Sequence, residues 1–126
     1  MKRLPPPGKH ADVGIYPNKE RPFVIAFAVE LENGYELKDM TLAHVKEFHR
    51  FIQDTVYKGL TVSEVDKLYL RKKGLGKTPP LKYRKDVELI HYGKSERAFR
   101  LFGYYSKDGY FVVCRIDGGH QTHKQG

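Results

Sequence analysis

At 126 residues the chain is the size of one ordinary domain, long enough to bury a core without metal or disulfide support. Its 23 Lys and Arg against 15 Asp and Glu leave a net charge of +8, and the single cysteine, Cys114, excludes an internal disulfide and a zinc site built on paired cysteines. No apolar run approaches the ~20 residues of a membrane span, and Met1-Lys2-Arg3-Leu4 meets Pro5-Pro6-Pro7 before a signal-type segment can form, so a cytoplasmic protein is expected.

Residues 1–22 hold five of the seven prolines and predict an extended arm. Phe23 to Leu31 then reads as a strand, with Val24, Ile25, Phe27 and Val29 supplying β-branched and aromatic side chains. Glu32-Asn33-Gly34 has the chemistry of a hairpin turn with Tyr35 to Leu37 as the return. Thr41 can cap a helix in which Leu42, Val45, Phe48, Phe51, Ile52 and Val56 recur at three- and four-residue spacing. Gly59 ends that pattern, and Thr61 or Ser63 can cap a second helix with Val62, Val65, Leu68 and Tyr69 on its apolar side.

The stretch Arg71 to Arg84 combines six Lys/Arg, no acid, two glycines and two prolines, and reads as a solvated basic loop. Three strands follow, Asp86 to Tyr92, Ala98 to Ser106 and Gly109 to Asp117, the last two joined by Lys107-Asp108-Gly109. Strict alternation puts Arg100, Phe102 and Tyr104 on one face of the middle strand, and Phe111, Val113 and Arg115 together on one face of the last. The order β-α-α-β-β-β predicts an α+β domain over 23–117. Two helices would cover one face of an antiparallel sheet of four to five strands, followed by a flexible polar tail over 118–126. Cys114 lies in the apolar run Tyr110 to Ile116, where a buried thiol is expected.

Charge is concentrated. Eleven Lys/Arg against three acids lie between Lys67 and Arg100, a surplus equal to that of the whole chain. Such focusing suits a polyanion, because each neutralised phosphate releases counterions. Arg71, Lys72, Lys73, Lys77, Lys82, Arg84, Lys85, Lys94, Arg97 and Lys124 are the candidate nucleic-acid contacts, with Tyr83, Tyr92, Phe99, Phe102, Tyr104 and Tyr105 interleaved among them. Gly74-Leu75-Gly76-Lys77-Thr78 is not a phosphate-binding loop, since the first glycine is missing and Pro79-Pro80 blocks the helix that should follow. His120 and His123 near Asp117, or His44 and His49, make no convincing ligand set, so neither metal nor cofactor is expected.

The element order, the basic charge and the stretch Val87 to Lys124, with Phe99-Arg100-Leu101-Phe102 in its middle strand, resemble the RelE/HigB-like toxins of bacterial toxin-antitoxin systems. The resemblance implies a metal-independent endoribonuclease that cleaves ribosome-bound messenger RNA and is held in check by an acidic antitoxin. By position Arg100 matches the family's central-strand arginine near the scissile phosphate, and His91 a basic residue at the end of the preceding strand. The 118–124 tail falls where HigB-like chains place a Lys/Thr-rich segment. The family's C-terminal helix or catalytic tyrosine has no counterpart after Ile116. Cleavage of this kind needs a base for the 2′-OH, a cation on the phosphorane and an acid for the leaving oxygen. His91, His120 and His123 are the proton-transfer candidates, and Arg100 and Arg115 the phosphate clamps. A non-catalytic nucleic-acid-binding or interaction module of a phage or mobile element is the alternative, and a protein-binding domain with a positive face a third reading.

Overall fold

The computed structural model of the chain describes residues 18–71, 82–83, 87–94 and 96–119, the side chains of Lys82 and Tyr83 excepted. Its elements are β1 (Ile25–Ala26), a 3₁₀ turn (Leu37–Asp39), α1 (Leu42–Asp54), α2 (Val62–Tyr69), β2 (Lys82–Tyr83), β3 (Val87–Glu88), β4 (Ile90–Gly93), β5 (Arg100–Tyr105) and β6 (Phe111–Asp117).

Both helices begin where hydroxyl caps predict. Thr41 Oγ1 accepts from the His44 amide, and Thr61 and Glu64 form a reciprocal capping box at the start of α2. Gly59, at φ 68°, supplies the left-handed residue between them. The stripe on α1 is only partly a core face: Phe48 and Phe51 are buried, whereas Leu42 and Val45 in the first turns stay exposed. Ahead of α2, residues 19–22 lie against its first turn, Val62 and Ser63 donating their amides to the Arg21 and Lys19 carbonyls.

The main sheet has the order β1-β6-β5-β4. It is mixed rather than antiparallel, because β1 runs parallel to β6 with Ile25 opposite Phe111. The expected hairpin after Leu31 is the source of the difference. The turn forms, with Tyr35 N–H bonded to Glu32 C=O and Gly34 at φ 87°, yet its limbs bond to β6 instead of closing a ribbon. Phe111 donates to Val24 O, Glu32 to Cys114 O and Ile116 to Tyr35 O, so residues 24–35 follow the outer edge of β6. The strand expected over 86–92 is divided: β3 pairs with β2 in a separate two-stranded ribbon, while β4 joins β5.

Alternate residues of the sheet, among them Tyr92, Leu101, Tyr105, Phe111, Val113 and Ile116, pack with Phe48 and Phe51 of α1 and Val62, Val65 and Tyr69 of α2. Both helices therefore lie on one face. Tyr92 is wholly buried and its hydroxyl donates to Asp66 Oδ1 at 2.6 Å and meets Tyr105 Oη at 2.7 Å, which ties α2 to β4 and β5. On the opposite, helix-free face lie Leu89, Phe102, Tyr104, Val112 and Cys114, joined by Ala28 and Val29. A β-bulge sets what else lies there. Phe102 pairs with Arg115 but Gly103 with Val113, so Cys114 is the extra residue. Arg115 is thereby moved off the face of Phe111 and Val113, where alternation placed it, onto the face of Phe102, and Ile116 turns into the helix-side core.

Candidate functional site

On the helix-free face the register lines up two rows. His91, Phe102 and Arg115 are cross-strand partners in one, and Gly93, Arg100 and Asp117 in the other. Arg71 joins them at the outer edge of β4, where its amide donates to the His91 carbonyl at 2.8 Å. Three of the residues singled out as catalytic, His91, Arg100 and Arg115, thus share one surface, reached from three different strands.

Each is fitted closely into that surface. The His91 imidazole stacks on Phe102 with ring centroids 4.3 Å apart and planes 16° from parallel, and the residue is 7% exposed. Arg100 is 3% exposed. Its side chain crosses over Gly93, where a Cβ would collide with the Arg100 stem, and Nη1 donates to the carbonyls of Phe99 (2.8 Å) and Arg97. Burial lowers the Arg100 pKa from its ordinary value, the nearby Arg71 cation acts in the same direction, and Asp117 opposes them. Arginine nonetheless stays charged at neutral pH. Arg115 Nε donates to Glu32 Oε1 at 2.6 Å, while its guanidinium lies over the Tyr35 ring at 3.8 Å and 6.0 Å from that of Phe102. Glu32 and Tyr35 belong to the turn that failed to make a hairpin. That turn is what brings a carboxylate to Arg115, and the pair is separated by 83 positions in sequence, beyond the reach of any local pattern.

The remaining candidates lie elsewhere or outside the described residues. Arg97 and Lys94 sit in the β4–β5 connection, Arg97 paired with Glu47 of α1 at 2.9 Å and the Lys94 ammonium 5.3 Å from the centroid of the Tyr69 ring. Lys72, Lys73, Lys77, Arg84, Lys85, His120, His123 and Lys124 fall outside the described residues, as does the side chain of Lys82. Among the described residues no group of three or more His, Cys, Asp or Glu could hold a metal ion, and no helix is long and apolar enough to cross a membrane. Cys114 is a buried thiol. Glu32, Tyr35 and Asp117 are the site residues that sequence reasoning missed as partners. Only Asp117 left a trace, as an acid ending the strand next to Arg100's.

No protein-family model, curated protein or solved structure matches this chain.

Proposed function

We propose that the chain is a messenger-RNA interferase of the RelE/HigB type whose substrate face is the helix-free side of the sheet. One observation supports this above others: strand register brings His91, Arg100 and Arg115 to that side with Arg71 at its edge, His91 and Arg100 buried beside a second apolar cluster and Arg115 the more open of the three. Arg71 and Arg115 are the phosphate clamps. His91 is the proton-transfer group, the imidazole that the register sets beside Phe102 and Arg115. Arg100 acts as a positioning residue that holds the 97–100 backbone beneath them, because its guanidinium is committed to carbonyl oxygens. An acidic antitoxin that covers the same face is the natural protein partner.

The burial of Arg100 and the Glu32 partner of Arg115 favour a second reading, a non-catalytic RNA-binding module. Induced expression and cleavage of a messenger RNA on ribosomes separate the two. For an interferase, His91→Gln lowers cleavage by roughly 10²-fold or more with the fold intact, the range expected for removing a general acid or base. Arg115→Ala weakens both cleavage and toxicity. A chain that binds RNA but is harmless on induction, or whose cleavage is unchanged in the His91→Gln, Arg115→Ala double variant, would sink the interferase assignment.

A further inference from the structure

Beyond the helix-free face, α1, the end of α2 and the β4–β5 connection enclose a cleft of about 110 Å³. Phe51, Tyr69 and Phe99 give it aromatic walls, and Arg50, Lys94 and Arg97 bring cations to it. Tyr69 gives the cleft a polar point among its aromatic walls. The residue is only 6% exposed and its ring is seated edge-on against Phe51 at 5.1 Å, while its hydroxyl, which is not closed off from solvent, makes no hydrogen bond among the described residues. A phenol whose ring is fixed by packing and whose hydroxyl is open to the cleft can exchange a hydrogen bond with whatever enters it.

The lining restricts what that ligand can be. A volume near 110 Å³ is below the several hundred Å³ of a drug-sized site and suits one planar ring. Aromatic walls accept any base by stacking, and the cations suit a phosphate. Asp54 and Glu47, the latter already held by Arg97, also line the cleft, so its polar rim offers acceptors as well as cations. A ring with an exocyclic amine can donate to the same carboxylates. We propose that the cleft binds a single nucleotide with an amine-bearing base, the ring against Phe99 and Tyr69, a hydrogen bond exchanged with the Tyr69 hydroxyl, and the phosphate beside Lys94 and Arg50.

The inference rests on the RNA reading and deepens it, naming where one unpaired nucleotide of the strand is held. The cleft adjoins the helix-free face through shared backbone: Gly93 lines it, Arg100 packs across Gly93, and Arg100 holds the carbonyl of Arg97, another lining residue.

The test is a titration of the full chain with adenosine, guanosine, cytidine and uridine 5′-monophosphates, with ribose 5-phosphate and inorganic phosphate as probes lacking a base, read by amide chemical shifts. The first three nucleotides should shift Tyr69, Lys94, Arg97 and Phe99 saturably. Uridine monophosphate and the base-free probes should bind several-fold more weakly. Tyr69→Phe, which keeps the ring packing, should weaken adenosine monophosphate several-fold without changing the melting temperature. Lys94→Ala, at an exposed position, should weaken the monophosphate but not adenosine itself. Cleft amides that do not move at millimolar nucleotide, or that respond equally to ribose 5-phosphate, would overturn the assignment, as would unchanged binding in Tyr69→Phe. Single-stranded RNA that binds without moving those amides defeats the cleft alone. Nucleotides that fill it in a chain with no affinity for RNA uphold the cleft and defeat the interferase.

Discussion

At position 100 a guanidinium lies buried over a glycine and bonded to two carbonyls of its own turn, opposite a buried aspartate on β6. Removing it deprives the Phe99 and Arg97 carbonyls of their donor. A hydrogen bond from a charged donor is worth about 1.5–3 kcal/mol, and Arg100 makes two. Arg100→Ala should therefore lower the urea midpoint strongly, and lost toxicity in that variant would report on folding and not on chemistry. Arg115 is different, since its side chain keeps 14% exposure and its partner Glu32 26%. Arg115→Ala should cost about 1–2 kcal/mol, in line with a hydrogen bond between charged groups, and is the cleaner probe of function. Tyr69 adds a pH signature. Burial first, and Asp54 second, raise its pKa above the ordinary 10.0, with Arg97 opposing. The folded chain thus keeps a proton that the unfolded chain gives up. The stabilisation is complete below about pH 10 and fades as pH climbs through the raised value. Melting temperatures from about pH 8 to 11 should fall more steeply in the wild type than in Tyr69→Phe; equal slopes would contradict the burial of this phenol.

Elements were legible where their signals are local. Thr41 caps α1 as its spacing implied, and of the two candidates Thr61 and Ser63 it is Thr61 that caps α2, because a cap and its amide lie within one turn. Thr61→Ala should cost about 1 kcal/mol of stability, measurable by chemical denaturation. The strand at residues 23–31 was legible as extended chain but not in its pairing. Its partner β6 lies more than 80 positions away, and the Gly34 turn is compatible with either a hairpin or an edge segment. The bulge at Cys114 was likewise silent in sequence, since Val112-Val113-Cys114-Arg115 is compatible with unbroken alternation. Beside it, Gly103 has no room for a side chain: a Cβ would run into the Val112 carbonyl and the Phe111 ring. Gly103→Ala should destabilise by about 1–3 kcal/mol through overpacking, or prevent folding, and circular dichroism on the purified variant would show which.

For the molecule as a whole the charge excess and the fold answer different questions. Many described cations are internally satisfied: Lys19 with Asp66, Lys38 with Glu36, Lys58 with Asp54, Arg97 with Glu47 and Arg115 with Glu32. The surplus in the sequence is densest at Arg71 to Arg84, which carries no acid. RNA affinity should therefore fall steeply with salt. On single strands, alanine at Lys72, Lys73 and Lys77 should flatten the log-log slope by roughly 0.7 for each phosphate that is no longer neutralised, read by fluorescence anisotropy. A slope unmoved by those changes would place binding elsewhere. By itself the sequence determined the α+β class, the two helices and their caps, and the buried Cys114, because periodicity and capping act over a few residues. Only the tertiary structure decided that the sheet is mixed, that a bulge carries Arg115 to the face of His91 and Arg100, that Glu32 meets Arg115, and that Tyr69 opens into a cleft. Each of those depends on segments brought together from distant parts of the chain, where strand pairing and side-chain packing, and no local propensity, select the neighbour.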